Sequence, residues 1–156
     1  MSTAPVYCFD TSAFIDAYTR RLQPQVFKTF WIKLDELIDA GRVVAPKQVL
    51  EEIEVIHDDL FQWAKARGKI FVQQDTYQHV EVKNIAIRFP VLSTQDPRRN
   101  YADPFVIALA RVRGCVVVAQ ELRGSEQDPK IPYICAQYNM PCFTLLDMMV
   151  AEGWEF

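Results

Sequence analysis

Short apolar runs alternate along the chain with longer segments whose apolar residues recur at helical spacing. Five such runs predict buried strands: VYCF (6–9), RVVA (42–45), KIFV (69–72), CVVVA (115–119) and CFTL (142–145). Between and after them the spacing predicts helices over 12–21, 25–41, 46–56, 58–67, 77–89, 102–114, 132–138 and the end of the chain. This alternation predicts an α/β fold, a three-layer α/β/α sandwich with a central, mostly parallel sheet.

The segment 25–41 is the clearest of these helices, and its apolar residues share one face. They are Phe27, Phe30, Trp31, Leu34, Leu37 and Ile38. A stripe of this kind usually packs into a core, although the same residues could instead contact a partner protein. Because the chain has 156 residues, with neither an internal repeat nor a linker, we expect a single domain over residues 1–156.

Composition argues against several classes of protein. No run approaches the ~20 apolar residues of a membrane span, and the N-terminus lacks the basic and apolar regions of a signal peptide. The four cysteines form no C-x-x-C pair, so we expect buried thiols in a cytoplasmic protein and neither disulfides nor zinc. The net charge of −3 argues against a broad basic surface, but carboxylates that hold metal ions also count as negative.

Four acidic residues fall where predicted strands end or the next helices begin. Asp10 directly follows the first apolar run, and Glu52 lies early in the helix after the second. Asp103 begins the helix 102–114, and Glu121 follows the run 115–119. Ligands of open α/β sheets bind beyond the carboxyl ends of the strands, so these are candidate functional residues. The aspartates could instead be helix caps, and the glutamates could be solvated surface acids.

Helix geometry distinguishes Glu52 from its neighbour Glu51. At about 100° per residue, one apolar stripe comprises Val49, Leu50, Ile53, Ile56, His57 and Leu60. Glu51 points almost opposite that stripe and is expected to be solvated, whereas Glu52 lies at its edge and can reach over the end of the sheet. Asp103 shares a face with the apolar Val106 and is expected to point inwards.

Four segments carry these acids: YCFDTSAFID (7–16), PKQVLEEI (46–53), ADPFVIALA (102–110) and VVVAQE (116–121). Together they resemble the motifs of the PIN-domain nucleases, and the resemblance covers nearly the whole chain. That family has an Asp before Thr or Ser at the end of the first strand, a Glu before an aliphatic residue, and an Asp in an Ala-Asp helix. Asp10, Glu52 and Asp103 match these acids residue by residue, which implies a PIN-like, Rossmann-like fold.

The fourth acid departs from the family pattern. PIN-domain nucleases usually have Thr or Ser, one further residue and then Asp after the central strand, whereas this chain has Ala119-Gln120-Glu121. Glu121 therefore takes the matching place with a longer side chain and without the preceding hydroxyl. The segment Lys130-Ile131-Pro132 resembles one found in a subset of the family.

The resemblance implies metal-dependent hydrolysis of RNA to a 5′-phosphate and a 3′-hydroxyl. Asp10 and Asp103 would be the main metal ligands, and Glu121 would be the fourth acid of the site. Glu52 would bind a metal ion through water or position the attacking water. Oxygen ligands without histidine favour Mg²⁺ or Mn²⁺, which can activate water and neutralise the leaving group.

Several polar residues are candidates for binding the RNA substrate. Thr11 or Ser12 could donate a hydrogen bond to the scissile phosphate or orient Asp10. Arg98 and Arg99 lie in a polar loop before Asp103 and could bind phosphates. Weaker candidates are Arg20, Arg21, Arg123 and Lys130. Each of these charges, taken alone, could also be a solvated surface group.

Small nucleases of this kind commonly resemble the toxins of bacterial toxin–antitoxin pairs. The resemblance therefore implies an antitoxin protein that covers the acids, and homodimers are frequent in the family. One alternative function is a PIN-like module that has lost catalysis and binds RNA or protein, which the imperfect fourth acid favours. Another is a small phosphatase, although the DTS segment (10–12) lacks the second Asp that a phosphoaspartate mechanism would need.

Overall fold

The computed structural model describes residues 4–92 and 101–156. Within them, five strands form the sheet: β1 (Tyr7–Phe9), β2 (Val43–Pro46), β3 (Phe71–Val72), β4 (Val116–Val118) and β5 (Cys142–Phe143). The α-helices of the same ranges are α1 (Thr11–Asp16), α2 (Lys28–Asp39), α3 (Lys47–Ile56), α4 (Asp58–Lys65), α5 (Thr76–Arg88), α6 (Asp103–Arg113), α7 (Ile131–Gln137) and α8 (Leu145–Ala151). All the strand pairings are parallel, so the predicted α/β/α sandwich is confirmed.

The strand order places one crevice at the centre of the sheet. The order is β3-β2-β1-β4-β5, so the chain moves outwards on one side of β1 and then returns to pair β4 with its other side. β1 and β4 are in register from Tyr7 opposite Val116 to Phe9 opposite Val118. A reversal of strand order opens a ligand-binding crevice at the carboxyl ends of the two strands concerned, here between Asp10 and the residues that follow β4.

Helix α6 is buried along most of its length, as its apolar sequence predicts. It packs on β1, β2 and β4 and against α5, and Val106, Ile107 and Ala108 are fully buried. It ends at Gly114, whose φ of 68° is a left-handed conformation that glycine adopts without a steric penalty. Because α6 lies across the central strands, its first residue, Asp103, is held over the central crevice.

The apolar face of α2 packs into the core, as its sequence pattern predicts. Phe30, Trp31, Leu34, Leu37 and Ile38 are all buried. The indole of Trp31 donates to the backbone oxygen of Leu22 at 2.5 Å, so its polar atom is satisfied. Phe27 precedes the first turn and is exposed.

Three local features differ from the predicted pattern. The first helix ends at Asp16 and continues as a wider π-helical turn, Ala17–Arg21. The run KIFV begins as a 3-10 turn, Gly68–Ile70, so only two residues pair with β2 at the edge of the sheet. Ile56 is exposed because α3 ends there and His57 caps α4, its Nδ1 atom accepting a hydrogen bond from the backbone of Leu60 at 3.1 Å.

Three of the four cysteines are buried, as the sequence predicts, whereas Cys142 is only partly buried. All four cysteines lie in the described ranges and are free thiols, with Cys8, Cys115 and Cys135 buried. Within residues 4–92 and 101–156, no helix has both the length and the apolar character needed to cross a membrane.

An ion pair ties the end of helix α8 to the start of the sheet. Arg42 donates two hydrogen bonds to the carboxylate of Glu152, at 2.9 and 2.5 Å. The hydroxyl of Tyr7 donates to the same carboxylate at 2.6 Å. The Arg42 guanidinium holds the pKa of Glu152 below its usual range. The chain end is thus attached to β1 and to the residue that precedes β2.

We expect Glu152→Gln to lower the free energy of unfolding by roughly 1–3 kcal/mol at pH 7, because it leaves a partly buried arginine without its bidentate partner. Urea denaturation measures the change. Asp39→Asn is the control, since it removes the exposed Lys69–Asp39 pair and should cost no more than about 1 kcal/mol. Since the Glu152 pKa is lowered in the folded state, the difference from wild type should shrink on acidification. Equal losses in both variants at pH 7 would contradict the prediction.

Candidate metal centre

Three carboxylates from distant parts of the chain meet at the central crevice. Asp10, Asp103 and Glu121 each offer one oxygen atom, and these atoms all lie within 4.8 Å of one another. Asp10 follows β1, Asp103 begins α6 and Glu121 follows β4. The parallel sheet therefore gathers three of the four acids that the sequence singled out.

Asp10 uses its two carboxylate oxygens differently. Its Oδ2 atom caps α1, accepting from the backbone nitrogen of Ser12 at 3.2 Å and from the Ser12 hydroxyl at 2.6 Å. Its Oδ1 atom is buried and has no hydrogen-bond partner among the described residues. The residue as a whole is only 2% exposed. Asp10 is therefore both a helix cap and a candidate metal ligand, since one oxygen serves each purpose.

Asp103 does not cap its helix. Ala102 occupies the cap position of α6 and no side chain caps the helix. Asp103 is 3% exposed, and within the described part of the chain its buried Oδ2 atom accepts no hydrogen bond. A buried carboxylate oxygen without a hydrogen-bond partner is costly, and helix capping does not account for it here.

Glu52 lies beside the three clustered acids, and both of its oxygens have partners. The Thr11 hydroxyl donates to one oxygen, and the backbone nitrogen of Ala102 donates to the other at 3.2 Å. Glu52 thus joins α3 to the start of α1 and to the residue before Asp103. The sequence favoured Glu52 over Glu51 as the residue at the end of the sheet, and its burial agrees, since Glu52 is 6% exposed. Glu51 is half-buried, however, and accepts a hydrogen bond from the Tyr101 hydroxyl at 2.6 Å.

Glu121 reaches the cluster although the sequence around it departs from the PIN-domain pattern that the chain resembles. It is half-buried, and its Oε2 atom accepts a hydrogen bond from the backbone nitrogen of Ile131 at 3.1 Å. This contact links it to the first residue of α7. The longer glutamate side chain therefore spans the distance from the end of β4 to Asp10 and Asp103.

Gln120 holds the segment that carries Glu121, a role that the sequence patterns did not indicate. Its backbone nitrogen donates to the Ser12 hydroxyl at 3.0 Å, and its side-chain amide donates to Asp16 at 3.3 Å. Its side-chain oxygen accepts from the backbone nitrogen of Leu145 at 2.7 Å. The sequence offered one signal, the position of Gln120 between Ala119 and Glu121 directly after the central strand.

Burial raises the pKa of Glu52 and of the three clustered acids, and repulsion between the carboxylates adds to this for Asp103, Glu121 and Glu52. Burial is the main cause in each case, and it raises the pKa of both Glu52 and Glu121 to about 7. The pKa of Asp103 lies well above its usual range because of burial and the charges of Asp10, Glu121 and Glu52. The pKa of Asp10 is also raised by burial, against the hydrogen bonds from Ser12. Such a site favours either protons or a bound cation at neutral pH.

The donor set fits a hard divalent cation. All the clustered ligand atoms are carboxylate oxygens, the donors that Mg²⁺ and Mn²⁺ prefer. Asp10 Oδ1 and Asp103 Oδ2 are buried and lack hydrogen bonds among the described residues, so both oxygens remain available to an ion. Their burial with raised pKa values is the condition that a cation would relieve.

The residues proposed for substrate binding fall into two groups. The hydroxyls of Thr11 and Ser12 donate to Glu52 and Asp10, so in this structure they orient acids. Arg98 and Arg99 lie outside the described residues. Of the weaker basic candidates, Arg21 pairs with Asp16 at 2.7 Å.

Comparison with known proteins assigns a family to the chain. No curated protein matches it significantly. A family model matches residues 7–156, a range that begins at β1 and includes all four acids. The chain therefore belongs to the family described as "Domain of unknown function (DUF4411)".

Proposed function

We propose that this protein is a metal-dependent endoribonuclease that uses Mg²⁺ or Mn²⁺ to hydrolyse phosphodiester bonds of RNA. The observation that carries the proposal is a pair of buried carboxylate oxygens, on Asp10 and Asp103, that lack hydrogen bonds among the described residues. They belong to the set of acids whose oxygens lie within 4.8 Å of one another. Like charges buried together cost free energy unless a cation offsets them.

The acids of the site would have different roles in the reaction. Asp10 and Asp103 would hold the ion, with Glu121 beside them. When bound, such an ion supplies a water of lowered pKa and offsets charge on the leaving oxygen. Glu52, whose pKa is about 7, can accept a proton from an attacking water at neutral pH.

The hydroxyl groups next to the acids would keep this arrangement in place. Ser12 fixes the orientation of Asp10, and Thr11 does the same for Glu52. The bond from the backbone nitrogen of Ala102 to Glu52 fixes the start of α6. Groups that are held before the substrate arrives need little reorganisation during the reaction.

RNA as the substrate is supported by the resemblance to PIN-domain nucleases and by the place of the acids. They lie at the crevice where the strand order reverses, which is the usual ligand site of such sheets. A phosphatase of the phosphoaspartate type is less well supported, because the segment DTS (10–12) has no second Asp two residues after the first.

The proposal also includes a role as the toxin of a toxin–antitoxin pair. In that role an antitoxin protein would cover the acids, and the chain would form homodimers. The resemblance to PIN-domain nucleases supports this role, and the exposed Tyr77, Val80 and Ile87 along α5 form an apolar surface of the kind that protein partners cover.

The free thiols support a reducing compartment such as the cytoplasm.

The test is a cleavage assay with the purified full chain and a labelled single-stranded RNA. We expect internal cleavage with Mg²⁺ or Mn²⁺, no cleavage with EDTA, and recovery when the metal ion is restored in excess. The products should carry 5′-phosphates, shown by their resistance to kinase labelling until they are dephosphorylated. Release of inorganic phosphate from mononucleotides would instead indicate a phosphatase. Binding of RNA without cleavage in either metal would indicate the catalytically impaired module.

A further inference from the structure

A tight turn beside the acid cluster brings residues 123–130 back on themselves. Gly124 and Pro129 form an antiparallel bridge, and the backbone nitrogen of Ser125 donates to the backbone oxygen of Asp128 at 3.1 Å. The backbone nitrogen of Asp128 donates in return to the Ser125 hydroxyl at 3.2 Å. The turn therefore has a defined shape, and it ends at Lys130, the residue before α7.

Gly124 is required where this turn approaches Lys130. Its φ is +79°, which disfavours other residues. A Cβ atom on Gly124 would lie 2.5 Å from the backbone nitrogen of Lys130, 2.6 Å from the backbone oxygen of Asp128 and 2.8 Å from Cγ of Lys130. The close approach involves Cγ of Lys130 as well as its backbone, so the shape of the turn fixes the position of the first side-chain atoms of Lys130.

Lys130 lies next to the acids. The residue after it, Ile131, donates its backbone hydrogen bond to Glu121 at 3.1 Å. The positive charge of Lys130 acts to lower the pKa values of both Asp103 and Glu121. The Nζ atom of Lys130 lies 3.7 Å from the carboxylate of Asp128, whose side chain is 70% exposed. Exposed pairs of this kind contribute little, so a stronger anion can displace Asp128.

We propose that Lys130 binds a non-bridging oxygen of the RNA phosphate that enters the crevice, and that the Gly124 turn positions it for this contact. The inference rests on the proposed nuclease function and adds a substrate-binding residue to it. The charges favour this role because a bound metal ion would neutralise the acids, which would leave the lysine cation free to attract a phosphate. Lysine at the end of a rigid turn binds phosphate as a point charge.

The test compares Lys130→Met and Lys130→Arg with Lys69→Met, in which an exposed lysine at the opposite edge of the sheet is changed. RNA affinity is measured by fluorescence anisotropy at several salt concentrations with Ca²⁺ in place of Mg²⁺, since carboxylate oxygens also bind Ca²⁺, and gel electrophoresis checks that the RNA stays uncut. We expect Lys130→Met to weaken binding about tenfold and to reduce the slope of log affinity against log salt by about 0.7, the value for one phosphate contact on a single strand. Lys130→Arg should preserve the slope, and Lys69→Met should leave both quantities unchanged.

A second comparison tests the turn. Gly124→Ala should weaken RNA binding as Lys130→Met does, whereas Gly41→Ala should not. Gly41 also has a left-handed φ, +74°, but a Cβ atom there would meet nothing within 4 Å. Circular dichroism and thermal unfolding identify any variant that has lost its fold, and Lys130→Met supplies the result if Gly124→Ala does not fold.

The outcomes separate this inference from the proposed function. If wild type cuts RNA and Lys130→Met has unchanged affinity, salt slope and KM, Lys130 is no phosphate ligand and only the inference fails. If Lys130→Met tightens Mg²⁺ binding without affecting RNA, its charge only offsets the acids, which also overturns the inference. If wild type neither binds nor cuts RNA with Mg²⁺ or Mn²⁺, the inference and the proposed function fail together.

Discussion

The Asp103→Asn variant is expected to lose metal-dependent RNA cleavage by about a thousandfold, an increase of ~4 kcal/mol in the activation barrier. Asparagine keeps the size of the side chain but removes the negative charge that would hold the ion. The amide oxygen of asparagine is also a weaker metal ligand than a carboxylate oxygen, because the amide is neutral. The measurement is the initial cleavage rate at saturating Mn²⁺, so that a small loss of metal affinity alone does not produce the effect.

The fold of Asp103→Asn should survive, because the change removes one of several repelling acids. Burial and the neighbouring carboxylates raise the pKa of Asp103 well above its usual range, so its charged form opposes folding in the metal-free protein. Thermal unfolding without metal should therefore occur at the same temperature as in wild type or higher. Asp59→Asn, an exposed acid of α4, is the matched control and should cleave at the wild-type rate. Cleavage by Asp103→Asn within a few-fold of wild type would exclude this residue as a ligand.

The metal-free protein is expected to become less stable relative to its Glu52→Gln variant as pH rises from about 4.5 to 8. Burial raises the pKa of Glu52 from 4.5 to about 7, so the folded state holds its proton over a range where the unfolded chain has released it. This preference stabilises the folded state below pH 4.5 and is lost as pH rises through 7. The loss for Glu52 alone is roughly 3 kcal/mol, at about 1.4 kcal/mol per pKa unit.

Denaturation in EDTA at several pH values measures this difference. Glu54→Gln, an exposed position on the same helix, should differ from wild type by a constant amount across the range. Adding Mg²⁺ at pH 8 should raise the free energy of unfolding of the wild-type protein, by about 2.7 kcal/mol at a hundred times the dissociation constant. The same addition should raise that of Asp103→Asn much less. A difference between wild type and Glu52→Gln that does not vary with pH would show that burial leaves this carboxyl unperturbed. Equal stabilisation of wild type and Asp103→Asn by Mg²⁺ would place the ion elsewhere.

Part of the candidate site could be predicted because parallel strands impose a direction on the chain. Every strand of such a sheet ends at the same edge, so acids after β1 and β4 had to lie on the same side of the molecule. The distinction between Glu52 and Glu51 also followed from sequence, since the angular position of a residue on a helix depends on local spacing alone. The exposure of Ile56 was missed because α3 ends there, and helix ends depend on capping contacts such as the one made by His57.

By itself, the sequence determined the alternation of strands and helices, the apolar faces of α2 and α6, and the candidate acids Asp10, Glu52, Asp103 and Glu121. These depend on periodicity and on neighbours in the chain. The order of strands in the sheet depends on long-range pairing, and only the tertiary structure placed β4 beside β1. That pairing brings Glu121 into the cluster with Asp10 and Asp103, and Glu121 in turn accepts a hydrogen bond from Ile131, the residue after Lys130. The hydrogen bonds of Glu52 with Thr11 and Ala102 likewise join residues far apart in sequence, and no local pattern encodes such distances.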